Sequence, residues 1–452
     1  MRSGVRNGRT RTAAIACLLL IAAAVSAGCG PKVTPVAEVS VSPDAAVESA
    51  VAEFVPADGD WPGWRGPDST GVARSAAAPT EWPNGDGRIV WSAPVPGRGH
   101  SSPTVCGDLV VLATAWEETQ QQGLVAYDRA TGSQRWESIL HAGGFPANRD
   151  MHPKSTHANG TVACDDQRLF IGFLHDDAIT AYAVDFEGNK LWEREIGPFR
   201  SKFGYAPSPV VYKSTVIFAA DNMGGGYLAA LDRATGEIVW RKQRPAVSTY
   251  SSPVVANVGG RDQLLISGCD LVSSFDPATG EPLWSCPGTA EATCGTMVWN
   301  DSLVFAAGGY PDRQVIAVAA DGSGQEVWSN NTKVYEPSMV VVGDQLYAVN
   351  DEGVAFCWDA ATGERRWQQR LGGSFSASPV VCNGLIYAIN DRAELFVFHA
   401  TPEQYEQVAH NQLGDDAFAT PSICDGRIYL RVGENSKGRQ EMLYCIGAKT
   451  DE

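Results

Sequence analysis

Short apolar runs alternate with glycine-bearing and acidic turns along most of this chain. The stretch from Trp328 to Gly373 carries the pattern in full. An apolar run at 339–342 ends in Gly343-Asp344, a second run follows at 346–349, and Asp359-x-x-Thr362-Gly363-x-x-x-Trp367 closes the phrase. Runs of this length between turn residues read as β-strands, and helical periodicity is nowhere sustained. In the next copy the pattern predicts strand A over 378–382, strand B over 385–390, strand C over 394–399 and strand D around the tryptophan position. The A–B turns "CNGLI" and "CDGRI" place Asn-Gly and Asp-Gly where hairpins accept positive φ. The Asp-x-x-Thr-Gly element predicts the C–D turn, with Asp binding its own backbone and Gly supplying a left-handed residue.

The phrase recurs. Trp136 follows "DRATGSQR", Trp240 "DRATGEIV", Trp284 "DPATGEPL" and Trp367 "DAATGERR", with weaker copies at Trp192 and Trp328. The spacings from Trp136 are 56, 48, 44, 44 and 39 residues, and a seventh copy puts Ala409 in the tryptophan slot 42 residues further on. Strand-A openings such as "HSSPTVCGD" and "YSSPVVANV" number eight, one more than the closings that follow them. The missing closing lies at the other end, in "GDGRIVW" with Trp91. These observations predict an all-β fold: a single eight-bladed β-propeller of four-stranded antiparallel blades, closed by sharing one blade between the termini. Residues 89–93 then pair with strands in 426–448, which removes open sheet edges. Trp91, Trp136, Trp192, Trp240, Trp284, Trp328 and Trp367 are expected as structural wedges between blades, each N–H reaching a backbone acceptor. Stacking on a sugar or quinone is the alternative, but one ring per blade at a fixed slot favours structure.

The phrase "aATGexxW" with its "SPvV" openings resembles the PQQ-like (pyrroloquinoline-quinone-like) repeat, over roughly 61–448. "DWPGWRGPDSTGVA" followed by "EWPNGDGRIVW" is similar to the segment that precedes such repeats in one bacterial branch. The resemblance implies the fold. It leaves function open, because quinoprotein dehydrogenases, BamB-type outer-membrane assembly lipoproteins and many uncharacterised relatives share the repeat. The family's enzymes hold the quinone between a Trp floor and a disulfide of adjacent cysteines, with calcium on Glu, Asn and Asp and an Asp as base. This chain has no Cys-Cys pair and lacks their long insertions. No catalytic residue carries over and no cofactor is expected. The alternative is a PQQ- and calcium-dependent oxidoreductase with a reduced site.

The first 29 residues read as an export signal: Arg2, Arg6, Arg9 and Arg11, an apolar run, then Ser26-Ala27-Gly28-Cys29. The end resembles a lipobox, with Cys29 as the lipidated residue. Ser26 stands where an apolar residue is usual, so ordinary cleavage near Ala27 is the other reading. Gly30 after the cysteine points to the periplasmic side of the outer membrane. Residues 30–59, rich in Pro, Ala, Val, Ser and Glu, are expected as a solvated tether, and 60–449 as the propeller. The formal net charge is −17, and 31 basic against 52 acidic residues remain once the four signal arginines are removed. Such a surface repels phosphate backbones, which excludes nucleic acid as a partner. A monomer is expected.

Nine cysteines lie beyond the signal, so at least one thiol stays free. Cys106, Cys164, Cys382 and Cys424 share one slot at the end of strand A and are expected as buried fillers. Cys286 and Cys294 flank a short loop that a disulfide could close. The longest connection carries His141, His152 and His157; without metal-ligand spacing they are expected as ordinary loop histidines, not a metal site.

The residue before the opening anchor is always small: Ser102, Gly160, Ser208, Ser252, Gly295, Ser338, Ser378 and Thr420. These predict the crowded inner strands near the axis. Just upstream the residues widen into His100, His157, Tyr205, Tyr250, Tyr335, Phe375 and Phe418, which with Arg149 are the candidate channel-mouth residues. Connections from strand D to the next strand A emerge on this face and vary most, so it is the expected binding face for an envelope protein, a peptide or a polysaccharide.

Overall fold

Eight small sheets meet edge-on along one axis, and that convergence decides the rest of the architecture. The computed structural model describes residues 36–41, 54–75, 77–82, 88–436 and 438–447. The expected signal and Cys29 lie outside the described residues. Blades 1 to 7 span residues 104–142, 163–198, 210–244, 254–287, 298–330, 340–370 and 380–412, each an antiparallel sheet of four strands. Blade 8 takes three strands from 422–446 and its fourth from Ile89–Val95. Trp91 faces Cys445 and Ala93 faces Leu443 across that closing pair. Eight blades and closure by strand sharing are thus as the repeat count implies. The helical turn Asn148–Asp150 is the one helix among the described residues.

Burial explains the sequence pattern strand by strand. In blade 2 strand B, Arg168–His175, is buried at all but its first position, and strand C, Ala178–Asp185, at all but its last. Both are covered on each face by neighbouring blades, which is why they read as unbroken apolar runs. Strand D, Lys190–Pro198, lies at the rim and is largely exposed.

The tryptophans and the turn glycines form one lock. Trp91, Trp136, Trp192, Trp240, Trp328 and Trp367 each donate their indole N–H to a carbonyl in the C–D turn of the following blade, at 2.7–3.1 Å. For five of them the turn glycine of that following blade lies flat on the ring, while Trp367 meets Tyr405 edge-on, ring centres 5.9 Å apart. A Cβ at Gly363, where φ is +72°, would sit 2.5 Å from the Trp328 indole. Thus glycine is needed both for its left-handed backbone and for close approach. Trp284 departs from the pattern: it donates to Gln263 Oε1 at 2.7 Å, and Gln263 Nε2 passes the link to the Ala320 carbonyl of blade 5 at 2.8 Å. Ala409 has no C–D turn to reach, because blade 8 is broken there. Trp82 enters that corner instead, buried in the same apolar cluster as Ala409, its backbone N–H bound to Asn411 Oδ1 at 3.0 Å.

Three features differ from the sequence reading. Cys106 and Cys164 form a disulfide between the inner strands of blades 1 and 2, with Cα atoms 6.9 Å apart. Equivalent slots of adjacent blades lie close at the axis, although opposite ones do not. Cys382 and Cys424 occupy the same slot in blades 7 and 8 and stay free, with Ser75 threaded there: the Cys382 thiol donates to the Ser75 carbonyl at 3.4 Å, and Gly426 N–H donates to Ser75 Oγ at 2.8 Å. Cys286 and Cys294 are both free, so the expected short loop disulfide is absent. Finally, part of the expected tether is docked. Val39 exchanges two backbone hydrogen bonds with Arg241 on the outer strand of blade 3, at 3.0 and 2.8 Å, and Val36 is buried against the blade 2–3 core. The alternation in "VAEVSV" suits an edge strand whose backbone groups need partners.

Trp240 is completely buried. Trp240→Ala should therefore lower unfolding stability by about 3–5 kcal/mol in a denaturant titration, the usual cost of deleting a buried large aromatic; a loss under about 1 kcal/mol would contradict the wedge role.

Candidate functional site

Where the inner strands converge, side chains must be small, and the chain uses that position for hydrogen bonding as well. Thr161 Oγ1 accepts from Ser102 N–H, Ser208 Oγ from Thr161, and Ser252 Oγ from Ser208, at 2.9–3.1 Å. On the other side Ser338 accepts from Thr296, Ser378 from Ser338, Thr420 from Ser378, and Ser102 from Thr420, at 2.9–3.0 Å. Seven blade-to-blade links thus run around the axis. The sequence alignment is one residue out in blades 2 and 5: Thr161 and Thr296 hold the slot, not Gly160 and Gly295. With that shift the slot is Ser or Thr in all eight blades.

The circuit is open between Ser252 and Thr296, and there the N-terminal segment enters. Trp64 donates its indole N–H to Thr296 Oγ1 at 2.8 Å. Next to it, the almost wholly buried Arg65 donates to the Pro379 and Met339 carbonyls at 2.7 Å each and to the Thr70 carbonyl at 3.2 Å. Burial pulls its pKa to about 9, so the guanidinium is charged at neutral pH. On its two sides the segment is sewn to blade 1 by Trp61–Val105 and to blade 7 by Val72–Val381. It crosses the face of the A–B and C–D turns and floors the channel.

The channel is therefore a vestibule that opens on the face of the D–A connections. Its volume is about 480 Å³, with Trp64 below, ring hydroxyls at the neck and aromatic side chains above. His100 stacks on Phe418, ring centres 4.5 Å apart, and Phe203 lies between His152 and Tyr250 at 5.4 and 6.3 Å. Tyr335 and Tyr310 complete the wall. Burial first, then the charges of Arg431, Arg98, Arg439 and Lys154, hold His100 well below the usual histidine range, so it is neutral. Lys154 reaches Asp391 at 3.0 Å and Glu336 at 3.5 Å, and Ser376 donates to Glu336 at 2.6 Å. Burial opposes the lysine's charge, but these two carboxylates outweigh it and raise its pKa.

Of the eight candidate mouth residues, His100, Tyr250, Tyr335 and Phe418 line the vestibule. Tyr205 and Phe375 are buried beneath the connections, and Tyr205 donates to the Ala219 carbonyl at 3.0 Å. His157 is packed on Phe145, ring centres 3.9 Å apart. Arg149 projects outward, its side chain 86% exposed and paired only with its neighbour Asp150. The aromatic positions upstream of the anchor alternate between lumen and core, which residue type alone does not reveal. Lys154, Lys202, Phe203 and Glu336, not singled out individually, lie in connections of the expected binding face, and Trp64 comes from the segment before the repeats.

The histidines of the longest connection do not assemble. His141 instead meets His175 and Asp176, its Nε2 lying 3.2 Å and His175 Nδ1 lying 3.0 Å from the same Asp176 oxygen. The two imidazoles are stacked, ring centres 3.4 Å apart and 10° from parallel. The near-parallel rings keep an ion from lying in both ring planes at once, and only His175 Nδ1 makes a hydrogen bond to Asp176, at 3.0 Å. A calcium-bound quinone does not fit the vestibule either. Glu336 is the one carboxylate among the described lining residues and is already committed to Lys154 and Ser376, and Cys294 has no cysteine neighbour.

The ring, floor and vestibule define an eight-bladed PQQ-like propeller with one closed mouth. The family model described as outer membrane protein assembly factor BamB matches residues 72–144, 120–318 and 311–401, and the chain belongs to that family. It is 24% identical over 226 residues to the outer membrane protein assembly factor BamB of Shewanella oneidensis, covering 48% of this chain and 51% of that protein. The chain thus spans about half the length of that curated relative. The crystal structure of BamB from Moraxella catarrhalis superposes with a TM-score of 0.59 at 16% identity, over 80% of this chain and 98% of that one. The quinohemoprotein alcohol dehydrogenase of Comamonas testosteroni gives 0.64 at 13% identity, over 87% and 82%. At these identities the two structures show the fold alone.

Arg65→Ala removes three carbonyl ligands' donor and opens the floor. It should cost at least about 3 kcal/mol, the scale for breaking a buried charged hydrogen-bond set. A denaturant titration reads the loss, and an unchanged midpoint would mean that the segment does not hold the ring.

Proposed function

We propose that this chain is an exported, lipid-anchored, non-catalytic propeller of the bacterial cell envelope that binds a protein partner at its vestibule face. Family membership supports the envelope role. The observation that carries the choice of face is the asymmetry of the ring. One mouth is sealed by the N-terminal segment, and the other opens among long, varied connections that carry aromatic rings and lysines. Variable loops on a rigid ring are where binding is usually carried, and buried aromatic anchors dominate interface energy. Cys29 is the proposed lipid attachment site, on the periplasmic side of the outer membrane, and no quinone or metal is invoked.

Two measurements test this reading. Cys29→Ser should move the protein from the membrane to the soluble fraction, and unchanged partitioning without lipid in mass spectrometry rejects the anchor. In pull-downs from solubilised envelope, the triple variant Lys202→Ala, Tyr310→Ala, Tyr335→Ala should lose at least tenfold in captured partner. Changing Asp321, Glu364 and Arg366 on the opposite face should leave capture intact; loss with that second set alone means the other face binds.

A further inference from the structure

A collar of hydroxyl groups rings the neck of the vestibule. Five ring hydroxyls line the cavity: Ser102, Ser208, Ser252, Ser378 and Thr420. Each oxygen accepts a neighbour's backbone N–H, at 2.9–3.0 Å. None of the five O–H groups has an acceptor among the described residues, so all five are free to donate into the lumen.

A buried positive charge lies next to this collar. Arg65 is 1% exposed, and among the described residues it has no carboxylate partner and its Nε has no hydrogen-bond partner. Two of the carbonyls it binds belong to Met339 and Pro379, the residues that directly follow ring members Ser338 and Ser378. A buried cation met only by carbonyl dipoles leaves a positive potential at the channel floor. At the other end of the cavity Lys202 has no carboxylate partner among the described residues and rests 5.4 Å over the Phe203 ring. The one lining carboxylate among the described residues, Glu336, accepts from Ser376 and shares Lys154 with Asp391. Between these ends the wall is aromatic, and His100 Nε2 is buried in it without a hydrogen-bond partner among the described residues.

Donors and positive charge at the neck with flat rings above select one kind of ligand. We propose that the vestibule binds an aromatic group bearing a free carboxylate, with the carboxylate at the hydroxyl collar and the ring among His100, Phe418, Tyr250 and Tyr335. The C-terminal aromatic residue of a polypeptide and a small aromatic acid both have this chemistry. The proposal rests on the vestibule-binding reading for its site but not for its ligand. It uses the collar as a donor array that stabilises an anion without a directly touching cation.

The test is calorimetric titration of the purified full-length protein with four probes. These are a pentapeptide ending in free phenylalanine, the same peptide amidated, the same peptide ending in free glycine, and N-acetyl-phenylalanine. The free phenylalanine peptide should bind at least tenfold tighter than the amide and than the glycine peptide. Lys202→Gln and His100→Phe, which leave the collar and the ring stack in place, should each weaken it at least threefold with an unchanged unfolding midpoint. Peptide binding at least tenfold tighter than N-acetyl-phenylalanine assigns a polypeptide end as the source, and comparable binding assigns a free acid. Equal affinity for acid and amide, or no binding of any probe, overturns the proposal. If envelope pull-down through the same face persists in that case, the binding-scaffold reading stands and only the ligand assignment falls.

Discussion

Seven of the eight blade junctions of this propeller are held at the axis by one backbone N–H meeting one hydroxyl. The constraint is geometric before it is energetic. Eight inner strands cannot pair with one another as a sheet, yet their N–H groups are buried and need acceptors. A Ser or Thr at a single slot answers both demands: it is small enough to fit and brings the acceptor the next blade lacks. The links are individually worth about 1 kcal/mol, but losing one strands a buried N–H, which costs more than the bond contributes. Their larger role is to fix blade number. With seven links in register and the eighth position given to Trp64, the ring closes at eight.

The rim is locked by other means, and the two layers are complementary. At the outside six of the seven tryptophans donate to the turn of the next blade, and Trp284 reaches it through Gln263, so packing and hydrogen bonding act together. Where blade 8 interrupts the repeat, the lock is rebuilt from other parts: Ala409 replaces the ring, and Trp82 comes from the N-terminal segment. Closure therefore depends on the residues before the first blade as much as on the repeats. The same segment plugs the channel through Arg65, sews blades 1 and 7 together and turns a pore into a vestibule.

This division explains what could be read in the sequence. Repeated features were legible because the same physical demand recurs at each blade: strand runs, turn glycines, the tryptophan slot and the missing closing supplied by Trp91. The axial slot was recognised as small, but its hydroxyl chemistry was hidden by a one-residue misalignment at Thr161 and Thr296. Unrepeated contacts were not legible. Arg65 meets partners 274 and 314 residues away, and no local pattern signals such a contact. The mouth was half legible. His100 and Phe418 reach the lumen while Tyr205 and Phe375 turn into the core, a choice made by loop backbone geometry and not by residue type.

The charge distribution follows the same logic of inside and outside. Formal charge over the whole chain is −17, which keeps anionic surfaces at a distance. Yet the axis carries cations of its own, with Arg65 at the floor and, at the mouth, Lys202 and a Lys154 shared between Asp391 and Glu336. Low-dielectric walls focus such a field along a channel, so an anion that enters meets an attraction the outer surface does not advertise. Screening by salt acts on exposed surface charge far more than on the buried guanidinium. Raising ionic strength therefore relaxes the repulsion outside while leaving the neck nearly unchanged. A ligand carboxylate held at the collar should then bind no more weakly in salt, the opposite of what surface ion pairing gives.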